Sequence, residues 1–198
     1  MNSTLYLGNG ILTFGRTSSD FINCNGTLYA EGSTLKAIQT GSNNLTFNGN
    51  GKTYNKVWFS GAHTGNFDIT GNNTIAELII DSGRKVRFTN GTTQTINKLT
   101  AIGTPEQPIT IGSTTAGQRH TINYTGSDAT TVEYCNISDS NVTEARRLLA
   151  KNSVNAGNNK NWGFDTLPPF ALNKKQVDKI YVGDKLVTAI YKGTNKIY

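Results

Sequence analysis

Apolar residues recur along this chain at long range and at a fixed interval. Tyr54, Ile75 and Ile96 stand 21 residues apart, as do Val57, Leu78 and Leu99, and Phe59, Ile80 and Ala101 continue the register two places later. A second set, Phe47, Ile69, Phe88 and Ile109, recurs at 22, 19 and 21 residues. Within each interval the pattern predicts two short strands of alternating character, such as Phe67-Asp68-Ile69 and Leu78-Ile79-Ile80. Turn formers separate them at Gly71-Asn72-Asn73, Asp81-Ser82-Gly83 and Asn90-Gly91-Thr92. One such coil cannot bury its inward residues alone. Stacking neighbours at strand spacing builds a continuous core and pairs each backbone group with the coil above or below. Leu28, Leu35 and Ile38 extend the pattern upstream, and Val132, Tyr134 and Ile137 extend it downstream. A β-sandwich of meandering strands is the competing architecture, but it gives no reason for the same residue classes to return at 21. The expected fold is all-β, a parallel β-helix (solenoid) over residues 1–164.

Composition fits that expectation. Hydrophobic residues make up 35% of the 198 and charged residues 16%. The balance is Gly, Asn, Thr and Ser, residues of tight turns and, for Thr, of strands. Residues 1–12 lack a basic stretch followed by an apolar run, so no secretory leader is expected. No apolar run is long enough to span a bilayer as a helix, so membrane insertion is not expected. Cys24 and Cys135 lie outside any C-x-x-C arrangement and read as free thiols. The N-x-[ST] triplets, such as Asn25-Gly26-Thr27, are what chance gives in a chain this rich in Asn and Thr.

The solenoid pattern stops near residue 164. Arg146 to Lys151 could form a short helix by propensity, but an extended segment leading to Trp162 is the favoured reading. An open solenoid end must be covered, and Trp162 and Phe164 are the expected cap residues. Residues 165–172, with Thr166-Leu167-Pro168-Pro169-Phe170, read as a stiff linker. Residues 173–198 then form a separate repeat segment. Val177-Asp178-Lys179-Ile180-Tyr181-Val182-Gly183 is echoed ten residues later by Val187-Thr188-Ala189-Ile190-Tyr191-Lys192-Gly193, and Ile197-Tyr198 begins a third copy. This predicts a small β-rich appendage with a turn at each Gly.

From Asn66 to Phe164 the chain resembles the coil repeats of parallel β-helix proteins of bacteriophage virions and bacterial surfaces. The resemblance rests on Gly71-Asn72-Asn73-Thr74-Ile75, Gly83-Arg84-Lys85-Val86-Arg87-Phe88-Thr89, Ile109-Thr110-Ile111-Gly112-Ser113, Ile137-Ser138-Asp139-Ser140-Asn141 and Asn158-Asn159-Lys160-Asn161-Trp162-Gly163-Phe164. The Ile-Tyr-x-Gly repeat similarly resembles C-terminal segments of phage tail proteins. These resemblances imply a right-handed helix, a non-catalytic structural role in a tail fibre, tail tip or capsid decoration, and location in the virion. They also imply other virion proteins as partners, and a homo-oligomer, with a trimer favoured. The residues expected to dock or oligomerise are Ile180, Tyr181, Val187, Ile190, Tyr191, Ile197 and Tyr198.

The net charge is not spread evenly. Residues 1–143 carry nine Lys/Arg and nine Asp/Glu, whereas residues 144–198 carry ten and four, the whole net +6. A one-ended basic segment favours an acidic partner surface, nucleic acid, or simple solubility of an exposed tail. Nucleic acid is disfavoured as a partner, because Tyr181, Tyr191 and Tyr198 have apolar neighbours and no binding module is recognisable. A catalytic reading needs converging groups. Asp68, Glu77 and Asp81 lie near one another in sequence, but Asp68 and Glu77 fall at polar positions beside inward residues, and Lys56 and Asn97 take nearly the Glu77 slot in adjacent coils, so no acidic ladder builds. His63 and His120 read as isolated loop or surface residues, and Asp139 as a turn residue. No phosphate loop, nucleophile elbow or zinc spacing is present, so no enzyme, cofactor or metal is expected. Two alternatives remain: a host-surface glycan-binding adhesin or receptor-binding protein, using exposed Thr/Asn ladders and Trp58, and a polysaccharide depolymerase.

Overall fold

The computed structural model describes residues 4–15, 20–23, 25–127, 130–144 and 147–165, and six two-residue strands between 171 and 196. Every regular element among them is a strand. The chain forms two compact units, Met1–Phe164 and Asp165–Tyr198.

The first unit is a parallel β-solenoid of about six turns, spaced at about 22 residues. Its long sheet runs Ile11–Phe14, Thr34–Ala37, Thr53–Phe59, Thr74–Ile80, Thr93–Ile102, Thr131–Glu133, Leu148–Lys151 and Trp162–Asp165. A branch of His120–Tyr124 and Ser140–Val142 leaves it at Thr93–Ile102. A second sheet of seven strands runs from Asp20–Asn23 through Leu45–Asn48, Asn66–Thr70, Lys85–Phe88, Ile109–Ser113 and Cys135–Ile137 to Val154–Asn155. All these ladders are parallel, because each strand meets its counterpart one full coil later, travelling the same way.

The 21-residue register holds where it was read. Tyr54, Ile75 and Ile96 stand opposite one another, as do Val57, Leu78 and Leu99, and Phe59, Ile80 and Ala101. All nine are buried in one continuous core with Phe47, Phe67, Ile69, Val86 and Phe88. Each such side chain contributes about 1.5–3 kcal/mol of burial, before chain entropy opposes it. Upstream, Leu35 faces Val57, whereas Ile38 is 40% exposed and so lies outside the core. Downstream, Val132 faces Ala101 and Ile137 faces Ile111.

The second apolar set departs from expectation at its last member. Phe47, Ile69 and Phe88 align, but Phe88 faces Ser113, and Ile109 faces Cys135 in the next coil. The cause is a loop between Ile102 and Ile109. It is closed by hydrogen bonds from Thr104 N to the Gln107 carbonyl and from Gln107 N to Thr104 Oγ1. The added residues displace the following strand without breaking the ladder. Residues Leu148–Lys151 are extended, with Leu148 and Ala150 buried and Leu149 exposed.

One corner of the coil is held by stacked amides. Asn73 Oδ1 accepts from Gly51 N at 3.1 Å, Asn73 Nδ2 donates to Gln94 Oε1 at 2.9 Å, and Gln94 Nε2 donates to the Gly71 carbonyl at 2.6 Å. Both side chains are buried, so every lost partner leaves a desolvated polar group. Gly49 makes room for this column, since a Cβ there would stand 2.2 Å from Asn73 Oδ1. Asn73→Ala is expected to cost about 1–3 kcal/mol in urea denaturation, because it orphans Gly51 N and leaves Gln94 Oε1 only the long bond from the residue-73 backbone N–H.

The second unit contains three antiparallel strand pairs: Ala171–Leu172 with Lys175–Gln176, Tyr181–Val182 with Lys185–Leu186, and Tyr191–Lys192 with Asn195–Lys196. The ten-residue period is therefore a hairpin period, and its first copy begins at Ala171. That copy escaped the sequence pattern because Asn173-Lys174 stands where the later copies have Gly183-Asp184 and Gly193-Thr194.

Candidate functional site

Asp68, Glu77 and Asp81 are each engaged across coils. Glu77 lies between Lys56 and Lys98, at 2.6 and 2.9 Å. The strict register puts Lys98 in that slot, where the sequence reading had placed Asn97. Burial pushes the Glu77 carboxyl up, but the hydrogen bonds and charges of the two lysines outweigh it and hold the group below the usual glutamate range. Asp68 is bound in a two-pronged pair by Arg87, with Nε to Oδ1 at 2.7 Å and Nη2 to Oδ2 at 2.6 Å. That bond pushes the Arg87 guanidinium further up. Asp81 Oδ1 accepts from the Trp58 indole at 2.8 Å, and the Lys36 ammonium sits 3.4 Å from the centre of the same indole.

These contacts make three coil-to-coil clasps on the outer face: Lys56–Glu77–Lys98, Asp68–Arg87 and Lys36–Trp58–Asp81. Trp58 is half-buried, with its N–H bonded and a cation against its ring.

Both histidines differ from expectation. His63 and His120 are 1% and 0% exposed, so they are core residues. His63 packs against Phe67 with ring centres 4.8 Å apart, and His120 stacks on Phe88 at 4.5 Å and 22°. The signal was present in the sequence: His120 shares the inward parity of Ile122 and Tyr124, and His63 that of Phe67 and Ile69. Burial drives the His120 imidazole down to about 3, against a smaller upward pull from Asp139. Asp139 occupies a turn with φ +52°, and its Oδ1 accepts from Gly117 N and Asn158 Nδ2. Cys135 is a buried free thiol pushed up to about 12 by burial, which makes it a poor nucleophile. Among the described residues no group of three or more His, Cys, Asp or Glu is placed to hold a metal.

The two ends of the solenoid differ. Trp162 is buried, donates its indole N–H to Ser140 Oγ at 3.0 Å, and packs beside Phe164 with ring centres 6.4 Å apart. Trp162–Asp165 is the terminal strand of the long sheet. At the other end lies an apolar cavity of about 170 Å³, lined by Leu5, Leu7, Leu12, Phe14, Ile22 and Leu28. Beside it, Tyr6 and Tyr29 stack at 4.7 Å with both rings exposed. Of the expected docking residues, Tyr181 and Tyr191 each begin a hairpin strand. Ile180, Val187, Ile190, Ile197 and Tyr198 lie outside the described residues. The chain matches no family model, no curated protein and no solved structure.

Proposed function

We propose that this chain is a non-catalytic structural protein of a bacteriophage virion, in which the solenoid is a stiff projecting element and the basic hairpin segment docks onto the particle. The observation that carries this reading is the use of the outer charges. Asp68, Glu77 and Asp81 are committed to holding one coil to the next, which is the arrangement of a scaffold. The attached ten-residue hairpin repeat, with its Ile-Tyr-x-Gly signature, supports a tail or decoration role through its resemblance to phage tail segments. Its excess of lysine suits an acidic surface on a partner or on further copies of this chain, a trimer being the form the resemblance favours.

Mass spectrometry of purified particles tests the proposal, and absence of the protein from them would remove it. Deleting residues 171–198 is expected to abolish incorporation while leaving the solenoid folded. Normal incorporation of that variant would remove the docking role. Incubation with host capsule polysaccharide is expected to release no reducing or unsaturated ends.

A further inference from the structure

The two histidines are unusual guests in this core. Each imidazole is almost wholly buried against a phenylalanine, and among the described residues no ring nitrogen makes a well-formed hydrogen bond, the only relief at His63 coming from the backbones of Asn43 and Asn66. Each also sits in a minor element beside the main ladders. His63 belongs to the two-residue strand Ala62–His63, which pairs only with Thr40–Gly41. His120 opens the branch strand His120–Tyr124, and its contact with Phe88 ties that branch to the seven-stranded sheet.

We propose that His63 and His120 are an acid-release device, whose protonation frees the Ala62–His63 corner and the His120–Tyr124 branch while the central ladder stays paired. The physical reason is desolvation. A neutral imidazole packs on Phe67 or Phe88 as a flat, largely apolar ring, whereas an imidazolium there is a buried charge with no carboxylate bonded to it. The groups facing them do not reverse this. Arg84 faces His63 and opposes a second positive charge, while the backbones of Asn43 and Asn66 give only partial relief. Asp139 faces His120, but the upward pull of its charge is smaller than the cost of burying the imidazolium. By contrast, among the described side chains Thr53–Phe59, Thr74–Ile80 and Thr93–Ile102 hold no inward titratable group beside Tyr54, whose hydroxyl donates to the Gly49 carbonyl.

The direction with pH follows from both histidines being depressed when folded. Their neutral state stabilises the fold fully above the unfolded histidine value of about 6.5, and that contribution falls as pH drops towards the folded values, about 3 for His120. Glu77 is depressed as well, but as a carboxylate it begins to lose its contribution only below about 4.5. Between pH 6.5 and 4.5 Glu77 therefore leaves the histidine response unmasked.

Hydrogen exchange read by mass spectrometry at pH 7 and pH 5, corrected for intrinsic rates, tests the device on the full chain. Residues 60–67 and 117–124 are expected to exchange about tenfold faster or more at pH 5, with residues 74–80 unchanged. Replacing both residues, His63→Leu with His120→Leu, is expected to remove the difference. Uniform acceleration, no acceleration, or an unchanged response in the double variant would overturn the proposal. Carbon–proton spectra of the imidazoles in the unaltered protein give an independent reading. Both signals should keep their neutral positions from pH 7 to about 5, and a midpoint near 6.5 in the folded protein would equally overturn it.

Discussion

Replacing Leu78 by Asp is expected to leave the solenoid unfolded at 25 °C. Leu78 is fully buried between Val57 and Leu99, at the middle of the most regular ladder in the chain. Truncation to Ala alone would cost about 2–5 kcal/mol through lost burial and the cavity left behind. A carboxylate adds the desolvation of a charge with no partner on the inward face, and a domain has only about 5–15 kcal/mol of stability to lose. Ala76, two residues earlier, points outward and is exposed, so Ala76→Asp should cost under about 1 kcal/mol. Circular dichroism and urea denaturation of the two variants separate the inward from the outward position. Equal effects would contradict the assigned faces.

Trp162→Ala is expected to cost about 3–5 kcal/mol, the range for deleting a large buried aromatic. The loss is compounded because Ser140 Oγ, on a fully buried residue, forfeits the indole N–H that it accepts. Trp162→Phe keeps most of the packing and should cost about 1–3 kcal/mol for the buried acceptor left unpaired. If the terminal strand covers the core as its burial implies, hydrogen exchange in Trp162→Ala will rise first at Leu148–Lys151, the strand next to it in the sheet. Exchange rising uniformly along the ladder would instead indicate that Trp162 supports the whole solenoid at once.

The fold was legible where connecting turns kept a constant length. Tyr54, Ile75 and Ile96 announce their stacking because the turns between them add no residues. Ile109 misled because the Ile102–Ile109 loop lengthens one coil, and loop length leaves no mark on the apolar pattern itself. The charged clasps were hidden for a related reason. Asp68 and Arg87 are 19 residues apart, and Glu77 meets Lys98 rather than Asn97, so each pair becomes visible only once the register is fixed to the residue. The histidines were misplaced because residue type was weighed above parity. Their alternation with Phe67 and Ile122 already pointed them inward. The strand pair at Ala171 left no mark on the pattern because Asn173-Lys174 stands where the later two repeats carry glycine.

The coil-on-coil register is the claim on which the clasps, the buried histidines and the scaffold reading all rest. Methyl–methyl nuclear Overhauser contacts in the full-length protein test it without altering a residue. Neighbouring strands lie about 4.8 Å apart, so Leu78 should show contacts to Val57 and to Leu99, while Val57 and Leu99, two coils apart, should show none to each other. Direct Val57–Leu99 contacts, or contacts of Leu78 to neither, would mean that the strands do not stack at 21 residues.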